Sequence, residues 1–383
     1  MKIAFLTPEY PHAETGTSGG LGTSIKNLAI GLLEQNVHVR VLVYGQKKDA
    51  IFYDNGILVQ QIENVKFKSL SWWLTRKKLE RIINELHSEN EIDLIEAADW
   101  TGITSFIKPD KCPIIIRLHG SDTYFCHLDN RPVKWINKFH EKRALQNADR
   151  LLSVSQYTAD TTNHIFGLNK KFEIIPNLID SQLFKKEELH KITNQDILYF
   201  GSLIRKKGLL ELPLIFNIVV EQNPDAKLIL IGKDVSDIIT GNPSTWKIMQ
   251  ELFTEKALKN VEYLGSVPYE EIKQKIEQSK ICVFPSFAEA FPVSWLEAMA
   301  MEKPIVASNI GWANEMIDDG KNGFLVNPKD HTLYASRITE FLKDENLCLI
   351  TGKEARKKVE TFFEKGVLAK RNIEFYKTIL SSL

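Results

Sequence analysis

Glu289 and Glu297 stand with seven residues between them in the stretch EAFPVSWLEAMA. The preceding run ICVFPS reads as a strand that ends in a loop holding Glu289, and Pro292 suits a helix start because its missing N–H is not needed there. A helix beginning near Val293 and Ser294 leaves free N–H groups, which make an anion site. Glu297 then falls more than a turn into the helix, so one carboxylate lies on each side of that site. Both can accept hydrogen bonds from hydroxyls. Both would repel a phosphate unless they face neutral groups, so the arrangement fits a diphosphate with a ribose on one side and a hexose on the other.

Three further segments sit where chemistry could occur. In FGSLIRKKG, residues 200–208, a strand ends at Ser202 and the cations Arg205, Lys206 and Lys207 follow. They would suit a leaving diphosphate, although a solvated turn has the same composition. RLHGSDT puts His119 and Asp122 at the carboxyl end of a buried strand, where open α/β sheets collect ligands. Their spacing fits no metal motif, and Asp122 equally suits a helix cap. GTSGGLGTS, with Gly20 and Gly22, would let backbone N–H groups approach a phosphate. It is not the dinucleotide fingerprint, since Ile25 occupies the third glycine position, and a plain loop is the competing reading. NIGWANEMIDDGKNGFLV, with Gly311 in a loop and Glu315 at a helix start, reads as structural.

The elements that must position these groups alternate. KIAFLT, VHVRVLVY, IDLIEAA, PIIIRLHG and DRLLSVS are strands with helical patterns between them, the first helix running through Ile25 to Leu33. This is the α/β signature. Strands apolar throughout, such as Ile114 to Ile116, imply burial on both faces of a parallel sheet. The pattern pauses between Ile179 and Gln195 and restarts with ILYFGS, AKLILIG, VEYLGSV, ICVFPS, PIVAS and GFLV. A chain of 383 residues exceeds one ordinary core, so two α/β units are expected, followed by a last helix, FYKTIL.

Lys plus Arg and Asp plus Glu both number 49, so no global field argues for nucleic acid. The four cysteines form no Cys-x-x-Cys pair, which points to reduced thiols in a cytoplasm. The amino terminus reads as a strand rather than a signal peptide, and no apolar run is long enough to span a bilayer. Contact with a membrane would therefore be peripheral. The segment Asn64 to Asn84 is a candidate for it, with six basic residues, one acidic residue, Trp72 and Trp73. Such composition suits an interfacial helix. Leu79, Ile82, Ile83 and Leu86 equally give an ordinary buried stripe, with the tryptophans packed on the sheet.

The order and spacing of these segments resemble the retaining glycosyltransferases of family 4, within the GT-B fold. The two glutamates followed by AMAMEKPIVAS carry the resemblance, together with GGLG, HGSD, VSQYT, IIPNLID and LIRKKG, and it covers nearly the whole chain. It implies two Rossmann-like domains facing a central cleft: residues 1–180 on the acceptor side and 195–365 for the nucleotide sugar, with a helix at about 366–383 returning to the first. It further implies that Lys207, with Arg205 or Lys206, neutralises the diphosphate, that Glu289 holds the donor sugar and that Glu297 holds the ribose. His119 and the backbone of Gly20 to Gly22 would line the sugar and phosphate side, and Ser202, Ala290, Phe291 and Val293 would complete the donor site. His119, Lys207 and Glu289 are the expected catalytic set. Ser202 stands where many members have Arg, and Pro292 and Leu178 where many have Gly. No metal is expected to be obligatory, in keeping with the lack of an Asp-x-Asp pair. The implied reaction moves a hexose from UDP or GDP to a glycan or lipid-linked glycan, with retention, in cell-surface polysaccharide synthesis. A sugar-nucleotide epimerase of the same fold and an inactive sugar-nucleotide-binding subunit are the alternatives.

Overall fold

The computed structural model describes residues 1–16, 18–186 and 194–381. Thr17 of the glycine-rich segment and residues 187–193 of the expected linker lie outside the described residues. The chain divides into two compact units, one formed by Met1–Leu178 with Lys365–Leu383 and the other by Ile179–Glu364.

The first unit is built on eight strands: β1 (Lys2–Thr7), β2 (His38–Gln46), β3 (Ala50–Asp54), β4 (Ile57–Glu63), β5 (Leu94–Ala98), β6 (Ile114–Leu118), β7 (Arg150–Ser153) and β8 (Glu173–Ile174). Their order is β3-β4-β2-β1-β5-β6-β7-β8, and all pairings are parallel except β3 with β4. The period of two along β1 divides its side chains between two layers. Ile3 and Phe5 join Ile25, Leu28 and Leu32 on one face, and Ala4 and Leu6 join Leu79 and Ile83 on the other. The hairpin of β3 and β4 turns at Asn55 and Gly56, both at positive φ. An Asn-Gly pair flanked by strands is the strongest short hairpin signal, and this antiparallel hairpin adds to the alternating strand–helix pattern read above.

The closing helix Lys365–Leu380 belongs to this unit, where Leu368, Tyr376 and Ile379 enter the layer of Ile25 and Leu28. It is also fixed by a buried polar network. Arg117 Nε and Nη2 donate to the two carboxylate oxygens of Glu96 at 2.7 and 3.1 Å. Tyr376 Oη donates to Glu96 at 2.7 Å, and Arg117 also donates to the Asn372 side-chain oxygen. Such a network costs desolvation, so it favours the one docking that satisfies every member.

The second unit holds β9 (Asp196–Phe200), β10 (Lys227–Ile231), β11 (Val261–Tyr263), β12 (Ile281–Phe284), β13 (Ile305–Ser308) and β14 (Phe324–Val326). The order is β11-β10-β9-β12-β13-β14, parallel throughout. Residues at the start of the expected linker are part of this unit: Ile179 N donates to Phe363 O at 3.0 Å and Ser181 N to the Glu364 carboxylate at 3.2 Å. A π-helical turn, Val359–Phe363, precedes the point where the chain returns to the first unit.

Candidate functional site

In the second unit the chain leaves β9 toward β10 on one side, then comes back to place β12 on the other. Loops after those two strands diverge and leave a crevice at their carboxyl ends, where open α/β sheets bind ligands. The turn Arg205–Lys207 follows β9, and the loop with Glu289 follows β12. Backbone bonds tie them together: Phe287 N and Ala288 N donate to Lys206 O at 2.8 and 3.2 Å. Gly208 permits this approach. Its φ is +71°, and a Cβ there would meet Pro285 O at 1.9 Å. The result is an ion pair between Lys207 Nζ and Glu289 Oε1 at 3.2 Å, with Ser286 Oγ donating to the same oxygen at 3.3 Å.

The helix Val293–Ala300 starts beside this pair. Its cap residue, Pro292, supplies no side-chain acceptor, so no cap side chain offsets the partial positive charge of this helix start. The helix is buried nearly all round, and Glu297 is its only charged residue. Glu297 is held by Tyr269, whose phenol donates to Oε1. Burial pushes the Glu297 carboxyl up to about 7, against the opposing pull of the Tyr269 hydrogen bond and the Lys207 charge. Lys207, Glu289, Glu297 and the helix start at Val293 are thus brought together, with Ala290 and Phe291 buried between them.

Arg205 departs from the expected role. Its Nε and Nη2 donate to the two oxygens of Asp237, each at 2.7 Å, and this fork holds the Asp237 carboxyl well below its usual range. The guanidinium is matched within the protein, so Lys207 is the cation of the segment that stands next to Glu289. Ser202 lies exposed at the mouth of β9, and its carbonyl accepts from Tyr199 Oη at 2.9 Å. Sequence reasoning missed Asp237 and Tyr269. An acidic residue soon after β10 was a weak signal for the first, and nothing in the local spacing pointed to the second.

The remaining candidates lie in the first unit, at its own switch point between β1 and β5. Gly20 opens the helix Gly20–Leu33, but an anion already occupies that helix start. Glu9 Oε1 accepts from Gly19 N at 3.0 Å and from Gly22 N at 2.9 Å. The Gly22 N–H therefore serves an internal carboxylate, contrary to its expected approach to a phosphate. His119 follows β6 and lines a small recess with Arg117, Asn177 and Ser24. Burial and the Arg117 charge push its imidazole down to about 3, so it is neutral near pH 7 and offers a hydrogen bond rather than a cation. Its backbone N donates to Asp99 Oδ1 at 3.0 Å. Asp99, at the end of β5, is a buried carboxyl pushed up to about 7 by burial; its place at a strand's carboxyl end was the available signal. Asp122 is structural: Ser121 caps the helix Asp122–Leu128, and Asp122 Oδ2 accepts from Asn137 at 2.8 Å.

Known proteins are similar to this chain. Residues 18–183 match the family described as Glycosyltransferase Family 4, and residues 180–358 match Glycosyl transferases group 1. The chain is 23% identical over 379 residues to an uncharacterized glycosyltransferase, MJ1178, of Methanocaldococcus jannaschii, covering 97% of each. It is 26% identical over 222 residues to the capsular polysaccharide biosynthesis glycosyltransferase CapM of Staphylococcus aureus, covering 55% of this chain and 52% of that one. Anabaena HepE, solved with UDP-glucose, matches with a TM-score of 0.75 at 22% identity, covering 100% of both chains. With one family matched across each half and a carboxylate, lysine and helix start assembled at the second switch point, the chain belongs to the glycosyltransferases of the GT-B fold, family 4 in its amino-terminal half.

Proposed function

We propose that the protein transfers a hexose from a nucleotide diphosphate sugar to an acceptor hydroxyl with retention of anomeric configuration. The observation that carries this reading is the Lys207–Glu289 pair at 3.2 Å beside the uncapped helix start at Val293. A cation and a helix start suit a diphosphate, and the flanking carboxylates suit hydroxyls. In this reading Lys207 and the N–H groups near Val293 hold the diphosphate, Glu289 orients the hexose, and Glu297 accepts from the ribose hydroxyls, with Ser202, Ala290 and Phe291 shaping the surroundings. Lys206 adds positive field. From the first unit, His119 would serve the sugar as a neutral hydrogen-bonding group, and Gly20 would offer close backbone approach.

The acceptor oxygen forms its bond to the anomeric carbon on the same face from which the phosphate oxygen departs as its bond to that carbon breaks, so the configuration is kept. The acceptor proton passes to a phosphate oxygen, and the nucleoside diphosphate leaves. The chain's part is orientation and charge stabilisation, so a metal is not required in this scheme. The UDP-glucose bound by HepE supports a uridine donor, with a guanosine donor as the competitor, and the name of CapM supports a glycan or lipid-linked glycan acceptor in cell-surface polysaccharide synthesis.

The test is an NMR time course with a panel of nucleotide sugars, first without acceptor and in EDTA. Slow release of one sugar as its starting anomer supports both donor and stereochemistry. Release of the opposite anomer overturns retention, epimerised donor replaces transfer with epimerisation, and binding shifts with no turnover on any acceptor favour a non-catalytic subunit.

A further inference from the structure

The basic segment with Trp72 and Trp73 forms only half of a larger surface. The helix Ser71–Ser88 buries Leu79, Ile83 and Leu86, as an ordinary amphipathic stripe should, but Trp72 and Trp73 remain 45% and 39% exposed. Trp72 meets Phe106 edge-on at 5.6 Å, and Phe106 in turn meets Phe139 at 6.3 Å. Phe139 lies on a second helix, Trp135–Asn147, whose buried residues are only His140, Glu141, Ala144 and Leu145. Its outer side shows Trp135 at 76%, Ile136 at 39% and Phe139 at 47%. Ahead of the first helix, Phe67 and Leu70 are exposed too. Large apolar side chains, most of them aromatic, thus gather on one face of the first unit. That is an amount of apolar surface that calls for an explanation.

Charge indicates what covers it. Residues 64–79 contain five basic residues and no carboxylate, and residues 130–140 contain three basic residues and no carboxylate. Lys66 and Lys78 pair with Glu63 and Asp49. Among the described residues, Lys68, Lys134, Lys138 and Lys142 form no ion pair with an acidic side chain. Lys134 and Lys138 flank Trp135 and Phe139, so aromatic and cationic groups alternate along the exposed helix. A protein partner with an apolar patch would not need this excess of cations, and an acidic soluble partner would not need the tryptophans. Aromatic rings at the depth of lipid headgroups with lysines above them satisfy both. No helix among the described residues is long and apolar enough to cross a membrane, so the contact is one of lying on the surface.

We propose that this face of the first unit, formed by the amino-terminal part of the helix Ser71–Ser88 and by the helix Trp135–Asn147, docks on an anionic lipid bilayer. The inference does not depend on the transferase reading, because it uses none of the residues assigned to donor or acceptor.

The experiment is co-sedimentation of the full chain with vesicles of phosphatidylcholine, with and without phosphatidylglycerol, at low and high salt. The expected result is binding to the anionic vesicles only, weakened by salt. Lys134→Glu with Lys138→Glu should lower the partition coefficient at least about tenfold, given roughly 1 kcal/mol per basic residue near an anionic surface. Trp135→Ser with Phe139→Ser should lower it comparably, while circular dichroism and the thermal midpoint stay at the parent values because these side chains are exposed. Absence of binding to anionic vesicles at low salt would overturn the proposal, and so would equal binding of parent and variants. Self-association that the same substitutions abolish, without vesicle binding, would assign the face to a second copy and also overturn it.

Discussion

The two switch points of this molecule share a topology and differ in one respect. Each lies where a parallel sheet reverses its winding, β1 against β5 and β9 against β12, and each has a helix starting nearby. In the first unit, the Glu9 carboxylate fills the helix start at Gly20. In the second, the helix start at Val293 has no side-chain cap and stands by Lys207. Topology supplies the crevice in both cases. Whether the crevice can take an anion is decided by a single internal carboxylate in one unit and a single lysine in the other. In the proposed reading a phosphate goes to the second unit, and the first is left for a ligand without that charge.

Substitutions can break or sharpen this contrast. The largest effect is expected from Lys207→Ala, which removes the cation beside the leaving diphosphate and should cut turnover by about a hundredfold or more. The side chains of the pair with Glu289 are only 22% and 12% exposed, so some loss of stability is expected as well and turnover is compared at a temperature where both proteins are folded; donor consumption within a few-fold of the parent would remove the role. Glu297→Gln comes next. The folded carboxyl sits at about 7 against an ordinary 4.5 because of burial. Below that ordinary value both folded and unfolded states are protonated and burial carries no charge penalty. As pH rises toward 7 the unfolded state ionises first, so the parent loses stability, by up to about 3 kcal/mol once both states are ionised. Denaturant melts at pH 5 and pH 8 should show the Gln variant gaining on the parent at the higher pH, while its nucleotide affinity at pH 8 falls about tenfold or more through loss of a charged acceptor.

Glu9→Ala should cost about 1 kcal/mol, the worth of an anion at a helix start. It should also enlarge the rise in melting temperature that inorganic phosphate gives the parent through the second unit. A phosphate response equal to the parent's would mean that Glu9 is not what separates the two sites. Tyr269→Phe is the mildest, a few-fold loss of nucleotide affinity. Its hydrogen bond lowers the Glu297 pKa, so the pH at which affinity begins to fall should move upward in the variant.

Much of the frame was legible in the sequence, because fully buried parallel strands are written as unbroken apolar runs and their helices as periodic ones. Ile114 to Ile116 and the Ile25 to Leu33 stripe are examples. The Glu289 loop and the Glu297 helix were legible for a related reason: carboxylates set among apolar residues conflict with burial unless something answers them. What answers them was not legible. Asp237 takes Arg205 from a loop beyond the next strand, Tyr269 reaches Glu297 across 28 positions, and Glu9 reaches Gly22 across 13. Pairings of that kind are fixed by how loops meet after the sheets form, and local spacing does not encode them. The second half of the aromatic face was hidden likewise, since Phe139 joins Trp72 through Phe106 and His140, contacts made only after the helices pack.

The network of Glu96, Arg117, Asn372 and Tyr376 has a consequence for the order in which the protein can be made. Residues 179–364 form a unit of their own between the two parts of the first, so the ribosome completes the second unit before it supplies the helix that finishes the first. At ordinary translation speeds that interval is roughly ten to forty seconds. Throughout it, Glu96 lacks the Tyr376 hydroxyl and the apolar stripe of the Gly20–Leu33 helix lacks its cover. The amino-terminal sheet must wait with that stripe uncovered, and a chain cut before Lys365 would leave it so.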